Sequence, residues 1–113
     1  MEKNIFGTTL ISCCTDPITG YFRDGFCRTI SEDTGTHTVC AKVTQEFLDF
    51  SASQGNDLIT PITQWQFTGL KPGDIWCLCI SRWLQAEKVG KAPPIFLEAT
   101  HEKTLDYASL ELL

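Results

Sequence analysis

The chain has 113 residues and a formal net charge of −5, with 42% hydrophobic and 20% charged residues. That composition is ordinary for a globular domain and favours a single domain over residues 1–113. The acidic balance argues against nucleic acid and against an anionic membrane, both of which need a basic face. A spanning helix needs a run of about 18 apolar residues, and none is present.

The opening "MEKNIFGTTLISCC" has one lysine and a broken apolar run, without the charged, apolar and small-residue order of a signal peptide. A cytoplasmic chain is expected, and its six cysteines are then expected as thiols, not a disulfide framework. The first third, to about Asp33, reads as loop with one short strand at 4–7. Asp16-Pro17, Thr19-Gly20, Asp24-Gly25 and Gly35 punctuate it.

The rest is more regular. "HTVCAKV" (37–43) is β-branched and apolar and predicts a strand. "TQEFLDFSASQG" predicts a helix with Thr44 as N-cap, Glu46 in the first turn, Phe47, Leu48 and Phe50 on the apolar face, and Gly55 just past the end. After an irregular stretch, "IWCLCI" (75–80) predicts a strand apolar on both faces and covered on both. Ile75, Cys77 and Cys79 alternate with Trp76, Leu78 and Ile80. "SRWLQAEKVG" predicts a short helix capped by Ser81. "IFLEA" (95–99) predicts a third strand, and Thr100 a third helix over about 101–107. Helix-containing connections suit parallel crossovers. The expectation is an α+β (or small α/β) domain with a mixed sheet, strands near 37–43, 75–80 and 95–99 each followed by a helix, and a loop-rich N-terminal third folded over it.

Three strands running into hydroxyl caps suggest a site. If the strands are parallel, Thr44, Ser81 and Thr100 lie at one sheet edge, where open α/β sheets bind ligands. Free N–H groups at helix N-termini suit a carboxylate or phosphate. The expected ligand is a small anionic molecule, met by Thr44, Ser81, Arg82, Thr100 and His101, with His101 the candidate base in the first turn of its helix. Hydroxyl residues are also simply good caps. Arg23, Asp24 and Arg28 either pin the "YFRDGFCRT" loop as ion pairs or place a guanidinium fork for the anion. Trp65, Phe67, Trp76 and Trp83 read as core, with the mouth of a pocket the alternative for Trp65 in its irregular stretch.

The cysteines allow further readings. Cys77 and Cys79 share a strand face, and with Cys27 and His37 could assemble a metal site, although no matched CxxC knuckles support it. A reactive thiol needs a base, and His37 and His101 are the two histidines. Otherwise a free cysteine is a small buried hydrophobe.

The blocks "CCTDPITGYFRDGFCRT", "THTVCAKVTQEFLDFSASQGNDL", "GLKPGDIWCLCISRW" and "APPIFLEATHEKTLDYASLELL" together resemble a bacterial and plant family labelled domain of unknown function 2237. The resemblance implies a stand-alone soluble domain and no particular activity. The functional expectation is a small-molecule-binding domain, with an enzyme among its possible forms. The alternatives are a protein-interaction or adaptor module without catalysis, and a thiol- or metal-dependent protein.

Overall fold

A computed structural model describes residues 2–15, 19–33, 36–61 and 69–113. Trp65 and Phe67, expected in the core, and Asp16-Pro17 lie outside them. The element order is β1 (His37–Lys42), α1 (Gln45–Ser53), β2 (Ile75–Cys79) and α2 (Ile80–Glu87), followed by 3-10 turns at Leu97–Ala99 and Glu102–Asp106. The fold is α+β.

α1 forms for the local reason anticipated, α2 forms with a different cap, and the third predicted helix, over about 101–107, is a 3-10 turn at Glu102–Asp106 capped by His101. Thr44 Oγ1 accepts the Phe47 N–H at 3.1 Å, Glu46 sits in the first turn, and Gly55 follows the last turn at φ +87°. Ser51 is buried in α1 because its hydroxyl donates to Asn56 O at 2.8 Å, closing the C-terminal turn. α2 buries Ile80, Trp83 and Ala86, one stripe at helical spacing. It has no hydroxyl cap: β2 runs straight into it, so Cys79 is both the last strand residue and the N-cap. Ser81, the expected cap, is an exposed residue inside the helix.

The expected mixed sheet with parallel crossovers is corrected. β1 and β2 pair antiparallel, with Cys40 opposite Cys77, Lys42 opposite Ile75 and His37 opposite Cys79. A strand–helix–strand order permits either direction, and only the return path of the chain decides. The third strand shrinks to one bridge, Ile95 with Ala41. Pro93 and Pro94 carry no N–H to extend the ladder, and the chain then tightens into the Leu97–Ala99 turn.

Both sheet faces are covered, as "IWCLCI" implied. Val39, Ala41, Trp76 and Leu78 pack with Phe47, Leu48, Ile80 and Trp83, while Cys40 and Cys77 pack on the other side with Cys27 and Ala99. Both ladder edges are covered too, which an isolated strand pair needs. Phe96 N–H donates to Cys40 O at 2.8 Å and Lys42 N–H to Pro94 O at 3.0 Å on one edge. The Cys77 N–H donates to the buried Thr19 hydroxyl at 2.8 Å on the other.

The cysteine expectation is also corrected. Cys13–Cys40 and Cys27–Cys77 are disulfides, leaving Cys14 and Cys79 free. Each bond ties the N-terminal loop to a different strand. The loop closes on itself at Gly20, where φ is +102° and a Cβ would collide with Phe26 O, so no larger residue fits.

The Cys27–Cys77 bond closes a sequence separation of 50 residues. Its removal in Cys27→Ala/Cys77→Ala should lower the unfolding free energy by about 3 kcal/mol, by releasing the unfolded chain from that constraint. Urea titration of the oxidised proteins measures this, and an unchanged midpoint would refute it.

Candidate functional site

Three side chains from separate segments meet where β2 becomes α2. Cys79 Sγ lies 3.6 Å from His37 Nε2, and His37 Nδ1 lies 2.7 Å from Asp33 Oδ1. The register explains the first contact. From Val39 to Lys42 the pairing with β2 is regular, but between His37 and Val39 it slips, so that β1 carries one extra residue and His37 faces Cys79. Such a bulge re-aims a side chain. Thr36, just before it, holds φ +50°, a conformation rare and strained for a β-branched residue. Hydrogen bonds hold it there: Ile80 N–H donates to Thr36 O at 3.2 Å, Thr38 N–H to the same oxygen at 2.9 Å, and Thr36 N–H to Asp33 O at 3.0 Å. The start of α2 and the entry to β1 are therefore one unit.

Asp33 is buried and fully engaged. One oxygen receives the imidazole. The other accepts the His37 backbone N–H at 2.9 Å and the Thr29 hydroxyl at 3.0 Å. Burial alone would push this carboxyl up, but the hydrogen bonds and charge of His37, with Thr29, outweigh it and hold the pKa below its ordinary value. His37 is driven the other way, from 6.5 up to about 9. The hydrogen bond to Cys79 is the largest cause. Burial opposes it, and the electrostatic pull of that sulfur and of Asp33 adds to the rise. At neutral pH the ring therefore donates from both nitrogens, Nδ1 to Asp33 and Nε2 toward Sγ. The His37 side chain keeps 39% exposure and Cys79 is half-buried, so the pair faces solvent while Asp33 does not.

The residues expected at a shared sheet edge are not brought together there. In an antiparallel pair the ends of β1 and β2 point opposite ways, so Thr44 and Ser81 lie at opposite ends of the ladder. Arg82 donates to Gln54 O at 3.1 Å and Gln85 Oε1 at 3.3 Å, tying α2 to the end of α1. Thr100 is buried, donating to Phe96 O and accepting the Cys40 N–H. His101 is not in a first turn but is itself the cap of the Glu102–Asp106 turn. Its Nδ1 accepts the Lys103 N–H at 3.0 Å, Nε2 lies 3.1 Å from Glu2 Oε2, and its N–H donates to Thr38 O. Arg28 pairs with Asp24 at 2.8 Å and Arg23 lies over the Trp76 ring, 5.2 Å from its centroid. That geometry pins the loop.

The metal set suggested by sequence divides in two. Cys27 and Cys77 are bonded to each other, and Cys79 and His37 belong to the triad. Asp33 escaped the sequence reading. Its one signal was a position four residues before a strand-entry histidine. An apolar groove of about 410 Å³ between Phe6, Ile11 and Phe96 includes none of the triad.

A raised pKa means that the folded state holds the proton more tightly than the unfolded chain. The His37 contribution to stability is thus complete below pH 6.5 and is lost as pH rises through about 9. Thermal midpoints should fall across that window and lose this slope in His37→Gln. By NMR the ring should titrate near 9, and Cys79→Ala should lower that value more than Asp33→Asn. A ring titrating at 6.5 in the parent protein would contradict the geometry.

No helix among the described residues is long and apolar enough to cross a membrane. No curated protein matches the chain. A family model does match, over residues 3–113. The chain belongs to the family described as uncharacterized protein conserved in bacteria (DUF2237).

Proposed function

We propose that this protein is a thiol-dependent catalyst in which Cys79 is the nucleophile, His37 its acid–base partner and Asp33 the residue that orients the imidazole. The carrying observation is the Cys79–His37–Asp33 chain of contacts at 3.6 and 2.7 Å. This is the nucleophile–base–orienter arrangement of covalent catalysis. With His37 Nε2 3.6 Å away, Sγ attacks an electrophilic carbonyl carbon as the thiolate, the nucleophilic form of a cysteine. The imidazolium then returns its proton to the leaving group, and a second nucleophile such as water releases the acyl group.

Cys79 caps α2, so a developing oxyanion beside Sγ meets the positive end of that helix, where the Ile80 N–H is already given to Thr36 O and the N–H groups that follow it are the candidate donors. The small anionic ligand expected from the sequence becomes, in this reading, the charge that forms during the reaction. The expected cytoplasmic placement of the single domain requires that cellular dithiols open the two disulfides, since such bonds persist mainly in oxidising compartments.

Alkylation at pH 7 followed by peptide mapping is the direct test. Cys79 should react well ahead of Cys14, the other free thiol, and His37→Gln should slow it by about 100-fold without altering the circular dichroism. With p-nitrophenyl acetate, the intact protein should gain one acetyl group, absent in Cys79→Ser. If Cys79 reacts no faster than Cys14, or is indifferent to His37→Gln, the proposal fails.

A further inference from the structure

The four disulfide-bonded cysteines form a second cluster, separate from the triad. Cys40 and Cys77 stand directly opposite each other across the β1–β2 ladder. Facing residues in such a pair hold their Cβ atoms about 5 Å apart. Onto this platform the N-terminal loop lowers Cys13 and Cys27, one over each strand. The sulfurs of Cys13, Cys27 and Cys77 all lie within 4.8 Å of one another, and Cys40 is bonded to Cys13. Cys27, Cys40 and Cys77 are at most 1% exposed, Cys13 is half-buried, and the packing neighbours are the apolar Ala99 and Ile75.

We propose that, once reduced, these four cysteines hold one zinc ion. Two strand ligands and two loop ligands supply the all-thiolate set of a closed structural site. Zinc–sulfur bonds of about 2.3 Å in a tetrahedron set the sulfurs about 3.8 Å apart. Three of the sulfurs already lie within 4.8 Å of one another, and the fourth, Cys40, is freed beside them when its bond to Cys13 opens. The half-buried Cys13 marks the side from which reductant and metal enter.

The chemistry balances in two stages. A dithiol reduces each disulfide, giving two cysteine thiols and its own cyclic disulfide, so two equivalents release all four thiols. Zinc then binds four thiolates and four protons leave to solvent. Reduction removes both disulfide links between the loop and the sheet, and the ion restores a link to all four cysteines at once. The same cluster therefore ties the fold by disulfides under oxidising conditions and by metal under reducing ones. The metal set read from the sequence keeps Cys27 and Cys77 but exchanges Cys79 and His37 for Cys13 and Cys40.

The test uses the full chain, opened by a phosphine reductant that leaves no competing thiol, then desalted without oxygen and titrated with zinc under native mass spectrometry. One zinc per chain is expected for the reduced protein and none for the oxidised one. Cobalt in place of zinc should show sulfur-to-metal charge transfer and the intense visible bands of a tetrahedral all-sulfur site. Cys27→Ser/Cys77→Ser should weaken zinc binding by at least about 100-fold, since direct ligands matter no less than the outer partners whose loss costs 10–100-fold. Cys14→Ser/Cys79→Ser should leave it unchanged. Should the first variant fail to fold, the cobalt spectrum of the parent decides alone, and nitrogen ligation or an octahedral spectrum refutes the site. Zinc-driven refolding of a reduced, unfolded chain supports it, because a structural metal carries folding free energy. Sub-stoichiometric uptake by the reduced parent, or equal uptake by the oxidised protein, overturns it. So does a dependence on Cys79.

Discussion

One pairing governs this molecule: the antiparallel register of β1 against β2. It sets Cys40 opposite Cys77 and, through the bulge after His37, sets His37 opposite Cys79. The regular part of the ladder thus builds the platform for four sulfurs, and its irregular end builds the triad. A one-residue slip would reverse the faces of β1 and undo both at once. Two strands alone are marginal, so the register depends on what covers their edges. The Thr19 hydroxyl and the 93–96 segment do this.

The two thiol environments differ for physical reasons. On the sheet face, cysteines sit among apolar neighbours, where they serve as covalent ties. At the β2–α2 junction, Cys79 has an imidazole within reach, a helix N-terminus beneath it and solvent beside it. Reactive cysteines occupy such partly exposed, electropositive settings, whereas buried structural ones are inert. Asp33 completes the distinction, since it spends one oxygen on the imidazole and the other on the backbone of the same residue. The strained Thr36 beside it is the kind of backbone that persists only where surrounding bonds impose it.

His101 shows how a plausible candidate dissolves. As the residue after a presumed helix cap it promised an exposed base. In the fold it caps a 3-10 turn through its own ring and bridges to Glu2, 99 residues away in sequence, so both nitrogens serve structure. Ser81 and Thr100 lost their capping roles for a related reason: α2 starts at Ile80, with its cap two residues before Ser81, and Thr100 turns inward to the Cys40 N–H.

The sequence by itself determined what depends on near neighbours. Thr44 and Gly55 bracket α1 because capping acts within one turn, and "IWCLCI" declared a strand buried on both faces because alternation is local. The Arg–Asp pair in the loop, four residues apart, was legible for the same reason. Tertiary structure decided everything that joins distant segments. Strand direction, the loss of the third strand, the pairing of Cys13 with Cys40 and of Cys27 with Cys77, and the meeting of His37 with Cys79 all depend on how the chain returns upon itself. Residue spacing does not encode that return path. Packing both faces of one short antiparallel ladder does, and it placed a thiol, an imidazole and a carboxylate in line.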